Sequence, residues 1–131
     1  MKLGYVLLYV EDVAQTIEFY EAAFGLTRKF LNVEGDQGYG ELTTGETTLG
    51  FVSHPLASSH GFDYVKTQPD GLPAAFELGL VTDDVKSAYD NAVAHGATEV
   101  AAPTQKPGGQ TVSYVRDNNG FLVEICSPVG G

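Results

Sequence analysis

The chain has 131 residues, 43% hydrophobic and 18% charged, with seventeen Asp and Glu against seven Lys and Arg, for a formal charge of -10. That balance excludes a disordered tail and suits one folded domain able to bury roughly two thirds of its unfolded surface without disulfides or metals. The few scattered basic residues exclude a surface for phosphate backbones or anionic lipid, and no run approaches the ~20 apolar residues of a spanning helix, so neither nucleic acid nor a membrane is an expected partner.

The opening Met-Lys-Leu-Gly has no apolar core or small-residue cleavage site of a secretion signal, which makes the cytoplasm the expected compartment. GYVLLYVEDVAQTIEFYEAAFG, from Gly4, begins as an alternating strand with Val6, Leu8 and Val10 on one face and Tyr5, Leu7 and Tyr9 on the other. Asp12, with Gln15 three residues on, has the spacing of a helix N-cap, Val13, Ile17, Tyr20 and Phe24 form one apolar stripe, and Gly25 stops the helix. Extended segments follow at residues 27–33, 39–43 and 47–52, punctuated by Gly35, Gly38 and Gly45. Residues rich in Ser, Pro, Gly and His then read as a connection.

FELGLVTDDVKSAYDNAVAHG, from Phe76, repeats the plan. Phe76, Leu78 and Leu80 alternate with Glu77, Gly79 and Val81, Asp84 caps, Val85, Tyr89, Ala92 and Val93 form the stripe, and Gly96 ends it. Extended segments at residues 98–102, 111–115 and 121–126 are separated by Pro107-Gly108-Gly109 and by Asp117-Asn118-Asn119-Gly120, whose Asn-Gly is a hairpin signal. Each half is therefore βαβββ: module one about residues 1–54, a connection about 55–73 and module two about 74–131, within one domain. The apolar strand faces are expected against the helices.

Two acids break the pattern. Glu77 in AAFELGL and Glu124 in GFLVEICSP each stand inside an apolar run, where an unpaired carboxylate costs several kcal/mol or changes its pKa. Leu122, Glu124 and Cys126 point together; if the sheets curve with their mixed faces inward, both acids line one cavity with Tyr5, Leu7 and Tyr9, a wall suited to a small molecule. Cys126 is a lone cysteine in an apolar strand and reads as an inert hydrophobe. Gly108-Gly109 lacks the spacing and the Lys-Ser/Thr ending of a phosphate loop.

YVEDVAQTIEFYEAAFGL and YVRDNNGFLVEICSP together resemble the glyoxalase, bleomycin-resistance and extradiol-dioxygenase superfamily, the vicinal oxygen chelate proteins, over essentially the whole chain. Asn118 stands where the family usually has Pro. The resemblance implies an α+β fold of two tandem βαβββ modules forming a cup-shaped mixed sheet with helices outside, commonly as a homodimer with a ligand or metal in the cup. Metal-dependent members draw ligands from the first and last strands of each module. Glu77 and Glu124 match those positions in module two, whereas module one offers Tyr5 and one of Gly50, Phe51 or Val52.

Two carboxylates suit a hard divalent cation with several waters, and His54 and His60 are substitutes if the strand end turns inward. Two functions follow from the resemblance. One is a module that binds a small, cationic molecule through Tyr5, Leu7, Tyr9, Glu77 and Glu124 without chemistry. The alternative is a metal-dependent lyase or isomerase of the glyoxalase I type, in which Glu124 ligates a divalent metal and moves a proton.

Overall fold

The computed structural model describes residues 1–130. Two compact units, residues 1–66 and those from Thr67 onward, each hold a four-stranded mixed sheet and one long helix. Unit one contains β1 (Tyr5–Val10), α1 (Val13–Phe24), β2 (Thr27–Glu34), β3 (Gln37–Thr43), β4 (Thr48–Ser53) and the short α2 (His54–Ser58). Its sheet order is β1-β4-β3-β2, with β1 parallel to β4 and the other pairs antiparallel. Unit two contains β5 (Glu77–Val81), α3 (Val85–Ala94), β6 (Thr98–Gln105), β7 (Thr111–Arg116) and β8 (Leu122–Cys126), in the order β5-β8-β7-β6 with the same pairing sense. The fold is α+β, two tandem βαβββ modules with open sheets. Among the described residues no helix is long and apolar enough to cross a membrane.

Local chemistry starts both helices where the spacing predicts. The Asp12 carboxylate accepts from the Gln15 backbone N–H at 2.9 Å, and Asp84 accepts from that of Ser87 at 3.1 Å, each satisfying a donor the helix itself cannot. Gly25 adopts φ 67° and donates to the Glu21 carbonyl at 3.1 Å, which closes α1. Val13, Ile17 and Tyr20 are buried, as are Leu8, Val10, Leu42 and Phe51, and the Tyr20 and Phe51 rings lie 4.9 Å apart. Each such side chain contributes roughly 1.5–3 kcal/mol relative to exposure. Gly40 lets α1 lie close to β3, because a Cβ there would stand 3.2 Å from Ile17. In unit two, Val85, Tyr89 and Ala92 are buried together with Val115, Val123 and Ile125.

The connection is more structured than its composition predicts. Residues 54–58 form α2, started by Pro55 in its first turn, and Tyr64 returns to His54 and Tyr9 within unit one. Phe76 precedes β5, 41% exposed, and meets Phe121 edge-on at 5.9 Å instead of extending the strand's helix-facing row.

The β7–β8 hairpin is fixed by Asp117. Its buried carboxylate accepts from the backbone N–H groups of Asn119 at 2.9 Å and Phe121 at 2.8 Å, so the turn is defined by one side chain. Gly120 follows at φ 97°, and a Cβ there would lie 2.5 Å from the Gln68 carbonyl oxygen. Gly120→Ala is therefore expected to cost about 1–3 kcal/mol in chemical denaturation, from left-handed strain and from the clash. Gly79→Ala, with nothing within 4 Å of its Cβ, is the control and should change stability by less than about 1 kcal/mol.

Candidate functional site

In unit two, β-pairing decides which side chains meet. Glu77 stands opposite Leu122 and Gly79 opposite Glu124 across the parallel β5–β8 pair, so both acids project from the face away from α3, one step apart diagonally. Tyr114, opposite Glu124 on β7, shares that face, and its hydroxyl donates to Glu124 Oε1 at 3.1 Å. Burial lifts the Glu77 carboxyl above its usual range, and the neighbouring Glu124 lifts it further by charge and by hydrogen bonding. Arg116 lies on this face by register, yet its guanidinium donates to the carbonyls of Gly120 at 2.9 Å and Gln68 at 3.0 Å. Among the described residues neither acid forms an ion pair. Burial and the Glu124 charge push the Cys126 thiol up to about 11, which keeps it unreactive as its sequence context implies.

Unit one presents a different surface at the equivalent positions. Tyr5 is 60% and Leu7 45% exposed, while Tyr9 is half-buried against the Tyr64 ring at 4.8 Å. Leu7 pairs with Gly50 and Gly50 with Glu41, so Gly50 is the fourth-strand residue on this face, the counterpart of Glu124. A Cβ at Gly50 would lie 2.6 Å from Leu7 Cδ2 and 3.1 Å from the Tyr39 hydroxyl; those side chains occupy the space a ligand-bearing residue would need.

The acid of this unit sits one strand over. Glu41, 7% exposed, accepts from the Tyr39 hydroxyl at 2.6 Å and pairs with Lys29 Nζ at 3.5 Å. Lys29 is the extra residue of a β-bulge between Arg28 and Phe30, which turns its side chain toward Glu41. Burial, and then Glu41, hold the Tyr39 hydroxyl protonated far above the usual tyrosine range.

His54 is buried at the start of α2, with Nδ1 2.7 Å from the Tyr64 hydroxyl and its ring stacked on Tyr64 at 5.7 Å. Burial, with Lys66 nearby, pulls its pKa below the usual histidine value. His60 is exposed and stacks on Phe62 at 6.3 Å. Among the described residues neither histidine forms an ion pair, although Glu11 acts on His54 by charge against the effect of burial. Among the described residues no group of three or more His, Cys, Asp or Glu gathers, so the donors at hand are two carboxylates in unit two and none at Tyr5 and Gly50. That set lacks the nitrogen ligands that zinc and nickel sites favour.

Tyr114, Tyr39, Glu41, Lys29 and Tyr64 were not singled out by the sequence reading. Only Tyr114 left a usable signal: it lies five residues before Asn119 and Glu124 five after, and such symmetry about a tight turn marks a cross-strand pair.

A fold of two βαβββ modules, with the acid positions of module two on one sheet face, defines a vicinal oxygen chelate architecture. A sequence model of the Glyoxalase/Bleomycin resistance protein/Dioxygenase superfamily matches residues 2–125, and the chain belongs to that superfamily. It is 27% identical over 126 residues to the uncharacterized protein YraH of Bacillus subtilis (strain 168), covering 95% of this chain and 97% of that one. It is also 23% identical to CFP32 of Mycobacterium tuberculosis (strain CDC 1551 / Oshkosh), provisionally named a glyoxylase, covering 86% of this chain but only 38% of that protein. Among solved structures, a glyoxalase-related enzyme from Fulvimarina pelagi superposes with a TM-score of 0.82 at 19% identity, covering 98% of this chain and 88% of the other. At that identity the likeness is one of fold.

The raised Glu77 pKa makes a pH prediction. A carboxyl whose folded pKa exceeds the ordinary 4.5 holds its proton more tightly when folded, so its contribution to stability falls as pH rises from 4.5 through the folded value. Glu77→Gln removes that loss. The melting temperature of the variant relative to wild type should therefore rise between about pH 4 and pH 7, by no more than a few degrees. A difference that stays flat with pH would show that neither burial nor Glu124 raises the Glu77 pKa.

Proposed function

We propose that the chain binds a small cationic molecule on the face of module two that carries Glu77 and Glu124. The observation that carries this reading is the pair of adjacent carboxylates with no internal cation beside them. Two like charges on a partly dry face repel each other, and a positively charged ligand relieves that repulsion while gaining two acceptors. Membership of a superfamily that joins glyoxalases with bleomycin-resistance proteins is consistent with a small-molecule partner, and the acidic net charge favours approach of a cation.

The alternative, a metal-dependent lyase or isomerase of the glyoxalase I type, is supported by likeness to a protein named a glyoxylase and to a glyoxalase-related enzyme, but needs more donors than either module brings together by itself. We also propose a homodimer, since β1, β2, β5 and β6 are each paired on one side only and such edges invite cover.

Calorimetric titration of the purified protein with a panel of cationic, neutral and anionic small molecules tests the binding reading. Cations should bind selectively, and Glu77→Gln or Glu124→Gln should weaken them about 5- to 50-fold, the range expected when one partner of a charge-assisted contact is lost. A chelator should leave wild-type melting unchanged. Selective uptake of neutral ligands, or a large chelator-induced drop in melting temperature restored by Mg²⁺, would replace this reading with an apolar-ligand or a metal one. Light scattering should give twice the 13.9 kDa chain mass at micromolar concentration.

A further inference from the structure

The chain that leaves α2 is held to unit one at a single point. Ser59, His60 and Gly61 still donate to carbonyls of α2, but among the described residues the stretch 62–67 makes no backbone–backbone hydrogen bond. The next tie is Gln68, whose carbonyl accepts from Arg116 at 3.0 Å. Phe62, Asp63, Val65 and Lys66 are exposed, whereas Tyr64 is half-buried against two rings. It meets Tyr9 edge-on at 4.8 Å and stacks on His54 at 5.7 Å, and its hydroxyl lies 2.7 Å from His54 Nδ1 and 3.5 Å from the His54 carbonyl oxygen. Since Tyr9 projects from the helix-free face of edge strand β1, the segment crosses that face at its margin.

One hydroxyl hydrogen has two acceptors within reach. The shorter contact takes it, which makes Nδ1 an acceptor and places the ring hydrogen on Nε2. His54 is therefore neutral when Tyr64 is seated this way. A proton added at Nδ1 reverses the contact: the nitrogen becomes the donor, the hydroxyl must turn to the carbonyl 3.5 Å away, and a positive charge lies on a residue 5% exposed.

The charges that act on His54 come from Lys66 on the segment itself and Glu11 after β1, with His60 and Asp63 exposed nearby in the chain. The strands packed on α2 add no free charge: β4 has no ionisable side chain, β1 offers the hydroxyls of Tyr5 and Tyr9, and β3 offers Tyr39 and Glu41, the latter paired with Lys29.

We infer that residues 62–66 form a strap on the helix-free face of module one, latched by neutral His54 through Tyr64 and released when His54 takes up a proton. Burial, and then Lys66, pull the His54 pKa below its ordinary 6.5, against the pull of Glu11. Closure is thus favoured above that value and weakens as pH falls through the lowered one, because the released state binds the proton more tightly. Release uncovers Tyr9 and the β1 margin of the face. The device lies within unit one and does not depend on the acids of module two.

Nuclear magnetic resonance of the intact chain, from about pH 7.5 down to about pH 4.5, tests the latch. His54 should show the Nε2–H tautomer at neutral pH in its ring-nitrogen shifts and titrate with a midpoint below 6.5. With that same midpoint, cross-peaks between the Tyr9 and Tyr64 rings should fall several-fold. Backbone order parameters of residues 62–66 should drop from about 0.85 toward 0.6 or below. Cross-peaks between Tyr20 and Phe51 report the core and should stay constant. His54→Asn, whose side-chain oxygen can accept as Nδ1 does but takes up no proton, should keep the strap closed in acid. Tyr64→Phe should loosen it already at neutral pH. Lys66→Met should raise the His54 midpoint and Glu11→Gln lower it, each by a few tenths of a pH unit. Absence of Tyr9–Tyr64 cross-peaks at neutral pH, their persistence after His54 is protonated, a midpoint at or above 6.5, or acid opening of His54→Asn like that of wild type would each overturn the inference.

Discussion

A single helix laid on a four-stranded sheet buries one face of it and leaves the other to solvent or to a ligand. Everything distinctive about this chain follows from how its two modules use that second face. Because side chains alternate along a strand, burial of Leu8 and Val10 beside α1 forces Tyr5, Leu7 and Tyr9 outward, and burial of Val123 and Ile125 forces Glu124 outward with Leu122 and Cys126. No separate cause is needed for a carboxylate in an apolar strand. The alternation that buries its neighbours is what exposes it.

Register then decides which outward side chains meet. A slip of one residue in the β7–β8 hairpin would send Glu124 into the core beneath α3, so the turn that sets the hairpin is part of the site although it touches no ligand. Asp117 binds two backbone N–H groups across the turn, and Gly120 admits the close approach of the Gln68 carbonyl and of Arg116. Arg116 is drawn to those carbonyls, which keeps the guanidinium of this face away from the acids. The closing motif of the sequence is thus chiefly a device for holding register, and Asn118 in place of the family's usual proline sits in a turn whose geometry is enforced by its neighbours.

The repeat of strand, capped helix and glycine was legible because it is local: caps, stripes and stops are set by residues within a few positions of one another. That Glu77 and Glu124 belong to one acidic feature was legible through alternation and through the ligand positions that the family resemblance implied on the first and last strands of each module; that those strands lie side by side and parallel was not. Glu41 was not, because GYGELTT looks like a polar, solvated strand; its burial arises only because β3 is an inner strand of the order β1-β4-β3-β2, a fact of long-range pairing. The contact of His54 with Tyr64 eluded the reading for the same reason, since it depends on a short helix inside a stretch whose composition signals a loop. The bulges at Lys29 and Val100 leave no local mark, since an extra residue in a strand has the same composition as a strand.

The two modules have diverged in charge compensation more than in shape. At the fourth-strand position module one has Gly50, its space taken by Leu7 and Tyr39, while its carboxylate has moved to the next strand, where Lys29 can reach it. A buried carboxylate in that position needs a partner, since one left unpaired would cost several kcal/mol or lose its charge. Glu41 has that partner and is 7% exposed; Glu77, whose nearest titratable neighbour is another acid, lies in an exposed part of its strand and binds its proton more tightly than usual. The protein therefore holds one Tyr–Glu pair closed by its own lysine and one that remains short of a positive charge. A fold stabilised independently by two helix-covered cores tolerates the second, at the cost of a carboxyl held partly out of water beside another acid.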